Sequence, residues 1–323
     1  MAKEKQLSLC VITKNDEAFL PVCLNDMQET ADEILVADLG SVDRTVELAE
    51  RAGAKVYRPV WEDDFSKIKN FCMEHAAGKW VLFLQADEEI SEDGRKKLKF
   101  LLKNPNAEGY LFSIGCDPKE RNITTHTQFL RLIRNREEYR FCCRSFEWIP
   151  DEVLFSICDS RLCIAHRGEK AVGWQLEERK RLLEKDLEEH PQDSYVRYLE
   201  GIEFLNRENC RESAASLEQA RQTIGCGRFY GPQLYKCLGV SLLSLGRYEE
   251  AEEILGEGLR LYFFYSDLLI LRAELYRRLG RNREALEDLK ICLALRKEAD
   301  ARIPGPEIET SVIREMMEKI KIC

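Results

Sequence analysis

The chain has no run of about 18 consecutive apolar residues, the least that a bilayer-crossing helix needs. Its first apolar stretch, "LSLCVI" at 7–12, follows Lys3 and Lys5 and is too short for a signal-peptide core. The expectation is a cytoplasmic protein without a transmembrane segment. No long basic run occurs and the net charge is −9, which argues against nucleic acid and against docking on an anionic membrane. GxGxxG and GxxxxGK[ST] are both missing, so dinucleotide and P-loop sites are not expected. CxxC spacing is missing too. The thirteen cysteines are scattered through apolar stretches (Cys10, Cys72, Cys237, Cys292) and read as reduced, buried small hydrophobes rather than zinc ligands or disulfides.

What is present divides in two. Over the first ~115 residues strand and helix alternate. "LSLCVI", "EILVADLGS", "AKVYRPV" and "KWVLFLQADEE" read as strands, and "EAFLPVCLNDM", "DRTVELAERAG" and "DFSKIKNFCMEHAAG" as helices. Such units imply a mostly parallel sheet covered on both faces. Residues 108–168 look strand-like and irregular, in "GYLFSIGC", "TQFLRLIRN", "EYRFCCRSF" and "RLCIAHRG". From Trp174 onward Leu, Glu, Arg and Lys dominate at helical spacing. There Gly246 and Gly280 stand 34 residues apart, and Ala251/Ala285, Leu255/Leu289 and Leu259/Leu293 keep that offset, which is the tetratricopeptide (TPR) period. A degraded copy precedes them, with Gly201 matching Gly239 at an offset of 38, and "GPEIETSVIREMMEKIKIC" reads as a capping helix. The expected domains are 1–170 and 171–323.

Acidic residues follow each of the first four strands: Asp16 and Glu17, Asp38 and Asp43, Asp63 and Asp64, and Asp87. In a parallel sheet all of them fall at one edge, the carboxyl ends, where such sheets bind ligands. Two carboxylates spaced D-x-D would clamp a divalent cation on a diphosphate. In "WVLFLQADEEI" the first of those positions is Gln85.

"LSLCVITKND", "ADEILVADLGSVDRTVELAERAGAKVY", "WEDDFSKIKNF" and "GKWVLFLQADEEI" together resemble the family 2 glycosyltransferases, in the branch that carries TPR helices after the sugar-transfer domain. The resemblance runs from Leu7 to about Gly168 and implies a Rossmann-like nucleotide-diphospho-sugar transferase domain of the GT-A type. It implies that Thr13, Lys14 and Asn15 line the nucleotide pocket. Asp38 would contact uracil or ribose, and Lys69 the diphosphate. Asp87 would hold Mg²⁺ or Mn²⁺, with Glu88 helping to keep the cation in place, and His166 is a candidate second ligand or diphosphate contact. Glu147 is the candidate base for the acceptor's proton, with Asp151 and Glu152 as competitors.

Two departures from the family pattern stand out. Gln85 keeps a polar contact to the nucleotide sugar but supplies no charge, which weakens the metal clamp. Phe146 takes a position where the family carries His. The function so implied is inverting, metal-assisted hexosyl transfer from a nucleoside-diphosphate sugar, a UDP-sugar foremost, to a peptide, protein or carbohydrate acceptor. The TPR surface would be available to a protein partner. The alternative is a catalytically inactive transferase-like domain serving as a TPR-based scaffold.

Overall fold

The computed structural model describes residues 4–114, 127–150, 153, 156–166, 174–225, 228–263, 265–298 and 310–322. They form two compact units, the first running through Asp186 and the second starting at Leu187. The expected boundary at 170 lies outside the described residues.

In the first unit the chain runs β1 (Leu7–Thr13), α1 (Leu20–Met27), β2 (Glu33–Asp38), α2 (Thr45–Arg51), β3 (Lys55–Tyr57), α3 (Phe65–His75) and β4 (Trp80–Gln85). It continues through β5 (Glu88–Glu89), α4 (Glu92–Lys103), β6 (Gly109–Ile114), β7 (Thr127–Arg134), β8 (Ile157–His166) and α5 (Trp174–Glu189). The sheet order is β3-β2-β1-β4-β7-β6-β8-β5. The first four strands are parallel, as expected from the alternating pattern, whereas β7 runs antiparallel to β4 and β6, so the sheet as a whole is mixed. Every residue of β1 and β2 is buried, which is why these strands read as unbroken apolar runs. Leu9, Val11, Val36, Leu82 and Leu84 join Leu20, Leu24 and Met27 of α1 in one core, each fully buried side chain stabilising by roughly 1.5–3 kcal/mol. Strand order reverses between β1 and β4, and the crevice outside their carboxyl ends is the place such a sheet offers a ligand.

"EYRFCCRSF" is not a strand, contrary to its alternation. A single bridge, Cys142 to Trp148, is its only ladder contact among the described residues. The Asn70 side chain instead takes both backbone groups of Phe141, donating to its carbonyl at 3.0 Å and accepting from its N–H at 2.7 Å. Cys10, Cys23, Cys72, Cys237 and Cys292 are buried free thiols, as expected. Cys163 is disulfide-bonded, which corrects the expectation of uniformly reduced cysteines.

The second unit comprises α6 (Ser194–Asn206), α7 (Cys210–Thr223), α8 (Gly231–Ser244), α9 (Tyr248–Leu261), α10 (Ser266–Arg278), α11 (Asn282–Glu298) and α12 (Thr310–Ile322). The helices pair α6/α7, α8/α9 and α10/α11, and α12 follows where a capping helix was expected. Small residues allow the close approach: a Cβ on Gly201 would lie 2.5 Å from Leu217, and one on Gly239 2.7 Å from Leu255. Gly246 and Gly280 close α8 and α10 with φ of +71°. At the matching place after α6 stands Glu208, a side-chain-bearing residue with φ of +59°. The degraded repeat thus keeps the turn without its glycine. Glu208→Gly is expected to stabilise the helical unit by about 1 kcal/mol, seen as a later helix-melting transition by circular dichroism; an unchanged or earlier transition contradicts this.

Candidate functional site

Three adjacent strands bring Thr13, Asp38 and Gln85 to one edge, since Thr13 pairs with Asp38 and Ile12 with Gln85. The loops beyond β1 and β2 are stitched together. Asn15, in the left-handed region at φ +59°, donates its N–H to Ser41 at 2.8 Å and accepts from the Val42 N–H at 2.8 Å. Asp16 accepts from the Thr13 hydroxyl at 2.6 Å and donates its N–H to Thr45 at 2.8 Å. The Asp38 carboxylate is buried and accepts from the N–H groups of Gly40 and Ser41, at 3.3 and 3.2 Å, and from the Ser41 hydroxyl. It shapes the turn that follows β2. Lys14, Leu39 and Trp61, with Glu177, Glu178 and Arg181 of α5, line a cavity of about 380 Å³ beside these loops.

Not all of the acids at this edge are free for a ligand. Asp64 caps α3, accepting from the N–H groups of Ser66 and Lys67. Asp63, at φ +56°, accepts from Arg181 at 2.7 Å and Lys185 at 2.6 Å. Asp43 is tied to Glu17 and Thr45.

Beyond β4 the chain turns back so that β5 pairs with the end of β8, Glu88 opposite His166. This pairing sets Nδ1 of His166 3.1 Å from the Asp87 carboxylate, across 79 residues of sequence. With Asp87 ionised and no cation bound, Nδ1 would carry the hydrogen between them, and a cation held by both groups would displace it. The bond to Asp87 raises the imidazole's proton affinity, burial opposes it, and the charge of Glu88 adds to the rise. Asp87 and His166 are the pair with metal-ligand chemistry here. Among the described residues, no group of three or more His, Cys, Asp and Glu side chains gathers around one point. Glu88, expected to help keep a cation in place, is engaged with other partners. It is fully buried, accepting from the Gln85 N–H at 2.7 Å and from Arg131 at 2.6 Å.

Lys69 and Glu147 meet each other inside the domain. The Lys69 ammonium lies 3.1 Å from Glu147 Oε2 and over the rings of Phe141 and Phe83, 4.6 and 5.2 Å from their centroids. Arg179 of α5 holds the other oxygen, Oε1, at 3.0 Å. Burial would raise the Glu147 carboxyl, but Arg179 and then Lys69 outweigh it and hold the group down at about 2. Burial pushes Lys69 down to about 8 against the pull of Glu147, with Arg131 and Arg179 lowering it further. In this state Glu147 is ionised, as a base must be, yet both its oxygens are engaged. Lys69 faces Glu147. Phe146 stacks on Phe129 at 6.2 Å, with the Arg179 guanidinium 5.5 Å from its centroid. Asp151 and Glu152 lie outside the described residues. Nothing in the sequence marks Arg179, which stands in the charged run "LEERKRLLEKDLEE" that reads as a solvated helix face.

A mixed sheet with its polar loops gathered over the β1/β4 crevice is the arrangement in which open α/β domains offer a ligand site. Residues 8–158 match the family described as Glycosyl transferase family 2. A TPR repeat-containing protein of Synechococcus elongatus is 36% identical over 149 residues, covering 46% of this chain and 36% of that protein. An uncharacterized glycosyltransferase of Rickettsia typhi is 34% identical over 107 residues, covering 33% of this chain and 36% of that one. This chain thus spans about a third of the length of the curated relatives it matches. Among solved structures, S. aureus TarS is similar at a TM-score of 0.42 and 15% identity, over 77% of this chain and 50% of that one. No helix among the described residues is long and apolar enough to cross a membrane.

Proposed function

We propose that this protein transfers a hexosyl group from a nucleoside-diphosphate sugar, a UDP-sugar foremost, to a hydroxyl or similar nucleophile of a peptide, protein or carbohydrate. The observation that carries this reading is the Asp87–His166 pair at 3.1 Å, at the same sheet edge as Thr13 and Asp38. A carboxylate beside an imidazole suits Mn²⁺ or Mg²⁺ that takes its remaining ligands from diphosphate and water. Such a cation neutralises charge on the departing diphosphate. Thr13, Lys14 and Asn15 would seat the nucleoside, with Asp38 on its ribose or base and Gln85 on a hydroxyl.

In the transfer, the acceptor oxygen bonds to the anomeric carbon as the carbon–oxygen bond to the diphosphate breaks on the opposite face. Inversion follows, and the acceptor's proton passes to a base. Glu147 serves once Lys69 leaves it. An incoming diphosphate offers Lys69 more negative charge than one carboxylate does, and its departure frees Oε2 and strengthens Glu147 as a base. Donor binding thereby arms the base.

The test is release of UDP from a panel of UDP-sugars with Mn²⁺, with the anomeric configuration of the product read by NMR. A folded sample that releases no UDP from any donor favours the second reading, an inactive domain that serves as a scaffold. The mutual pairing of Lys69 and Glu147 and the neutral Gln85 speak for that alternative. Gln85→Asp is expected to tighten Mn²⁺ binding in the presence of UDP by about tenfold or more, by calorimetry, because it returns a charge to the clamp. Unchanged affinity would remove Gln85 from the metal's surroundings.

A further inference from the structure

We infer that α5, which lies beyond the segment matching the transferase family, is a working part of the transfer site, and that Arg179 positions Glu147. The inference rests on the glycosyltransferase reading above. Two α5 residues seven positions apart, hence on one face of the helix, grip the segment that carries Glu147. Arg179 is 8% exposed and donates to the Ser145 carbonyl and to Glu147 Oε1, with its guanidinium 4.2 Å from the Phe65 ring centroid. Asp186 accepts from the Ser145 hydroxyl at 2.7 Å and lies 2.9 Å from Arg144 Nε and 3.5 Å from the Cys143 sulfur. Beside these anchors Cys143 sits in the left-handed region at φ +69°, a sparsely populated conformation for a residue that carries a side chain. A second pair, Arg181 and Lys185, fastens the same helix to Asp63.

The division of labour follows from the two oxygens of Glu147. Lys69 of α3 and Arg179 of α5 are the cations that face it, and Arg131 of β7 acts on Lys69. Lys69 is the partner that the donor's diphosphate draws away. Arg179 cannot follow, because its fork also holds the Ser145 carbonyl and its plane packs on Phe65. It therefore keeps Glu147 ionised and aimed while Oε2 is open.

The experiment compares the full-length protein with Arg179→Met and Arg179→Lys. The Glu147 titration is followed by carbon-13 NMR of labelled glutamate, assigned with Glu147→Gln, and kcat and KM are measured against pH. Arg179→Met is expected to raise the Glu147 midpoint and the acid limb of kcat by about one pH unit or more. Its kcat falls about tenfold while donor KM holds. Arg179→Lys keeps the charge but reaches one acceptor only, so the midpoint stays low and kcat falls severalfold. It also serves if the methionine variant fails to fold. Variants with wild-type kcat, midpoint and acid limb overturn the inference while leaving the transferase reading standing. A wild-type protein that turns over no donor overturns the transferase reading, and the Glu147 midpoint then still decides whether Arg179 holds that carboxylate.

Discussion

Glu147→Ala is expected to destabilise the first unit by about 3–5 kcal/mol at neutral pH, the usual cost of breaking a buried ion pair from one side. Lys69 and Arg179 both lose their anion while largely buried: their side chains are 8% and 10% exposed. All four tryptophans, Trp61, Trp80, Trp148 and Trp174, belong to the first unit, so urea unfolding followed by tryptophan emission reads this unit alone. The pH dependence has a definite sign. Glu147 is held at about 2 in the fold, below the usual carboxylate range, so its contribution is complete above about pH 4.5 and fades as pH falls toward 2. Lys69 is depressed to about 8, so between about pH 8 and 10.5 the unfolded chain binds more protons and stability gains from this group as pH rises. The deficit of Glu147→Ala should therefore shrink in acid, where the wild type loses the same charge, and shrink again as pH rises toward 8, because without Glu147 the buried Lys69 sheds its proton at a lower pH than in the wild type. A variant within 1 kcal/mol of the wild type at pH 7 would mean that the pair is not buried as described.

Asp87→Ala is expected to lower turnover by about three orders of magnitude. A charge in contact with a cation at about 4 Å contributes at most ~4 kcal/mol at an effective dielectric near 20, and each 1.36 kcal/mol is a decade. The loss is close to that bound because Glu88, the neighbouring acid, is committed to Arg131 and the Gln85 N–H and does not substitute. Asp87→Asn separates charge from shape. It retains an acceptor for His166 and should lose nearly as much turnover as the alanine variant. If the asparagine variant keeps a third or more of wild-type turnover, with unchanged tryptophan emission, the charge of Asp87 is not at work.

Much of this architecture was legible in the sequence. β1, β2 and β4 announce themselves as unbroken apolar runs because they are buried on both faces, and the polar loops after them fall at one edge for any parallel sheet. The 34-residue offset of Gly246 and Gly280 marks turns that need a positive φ, and both have one. The segment 138–146 misleads because Phe141 has its backbone satisfied by an asparagine side chain 71 residues away rather than by a neighbouring strand. The same limit applies to charges. A sequence shows Lys69, Glu88, Arg131, Glu147 and Arg179 but not which meet, and these pairings span 32 to 78 residues. Asp87 and His166 could each be proposed from their surroundings, yet only the β5–β8 pairing brings them together.

The central claim is a nucleotide site whose cation is held by Asp87 and His166. Calorimetric titration of the wild-type protein with UDP, with and without Mn²⁺, tests it most directly. Binding that strengthens with Mn²⁺ is the result this account predicts. A folded sample that binds no UDP at millimolar concentration, with the metal or without it, would contradict it.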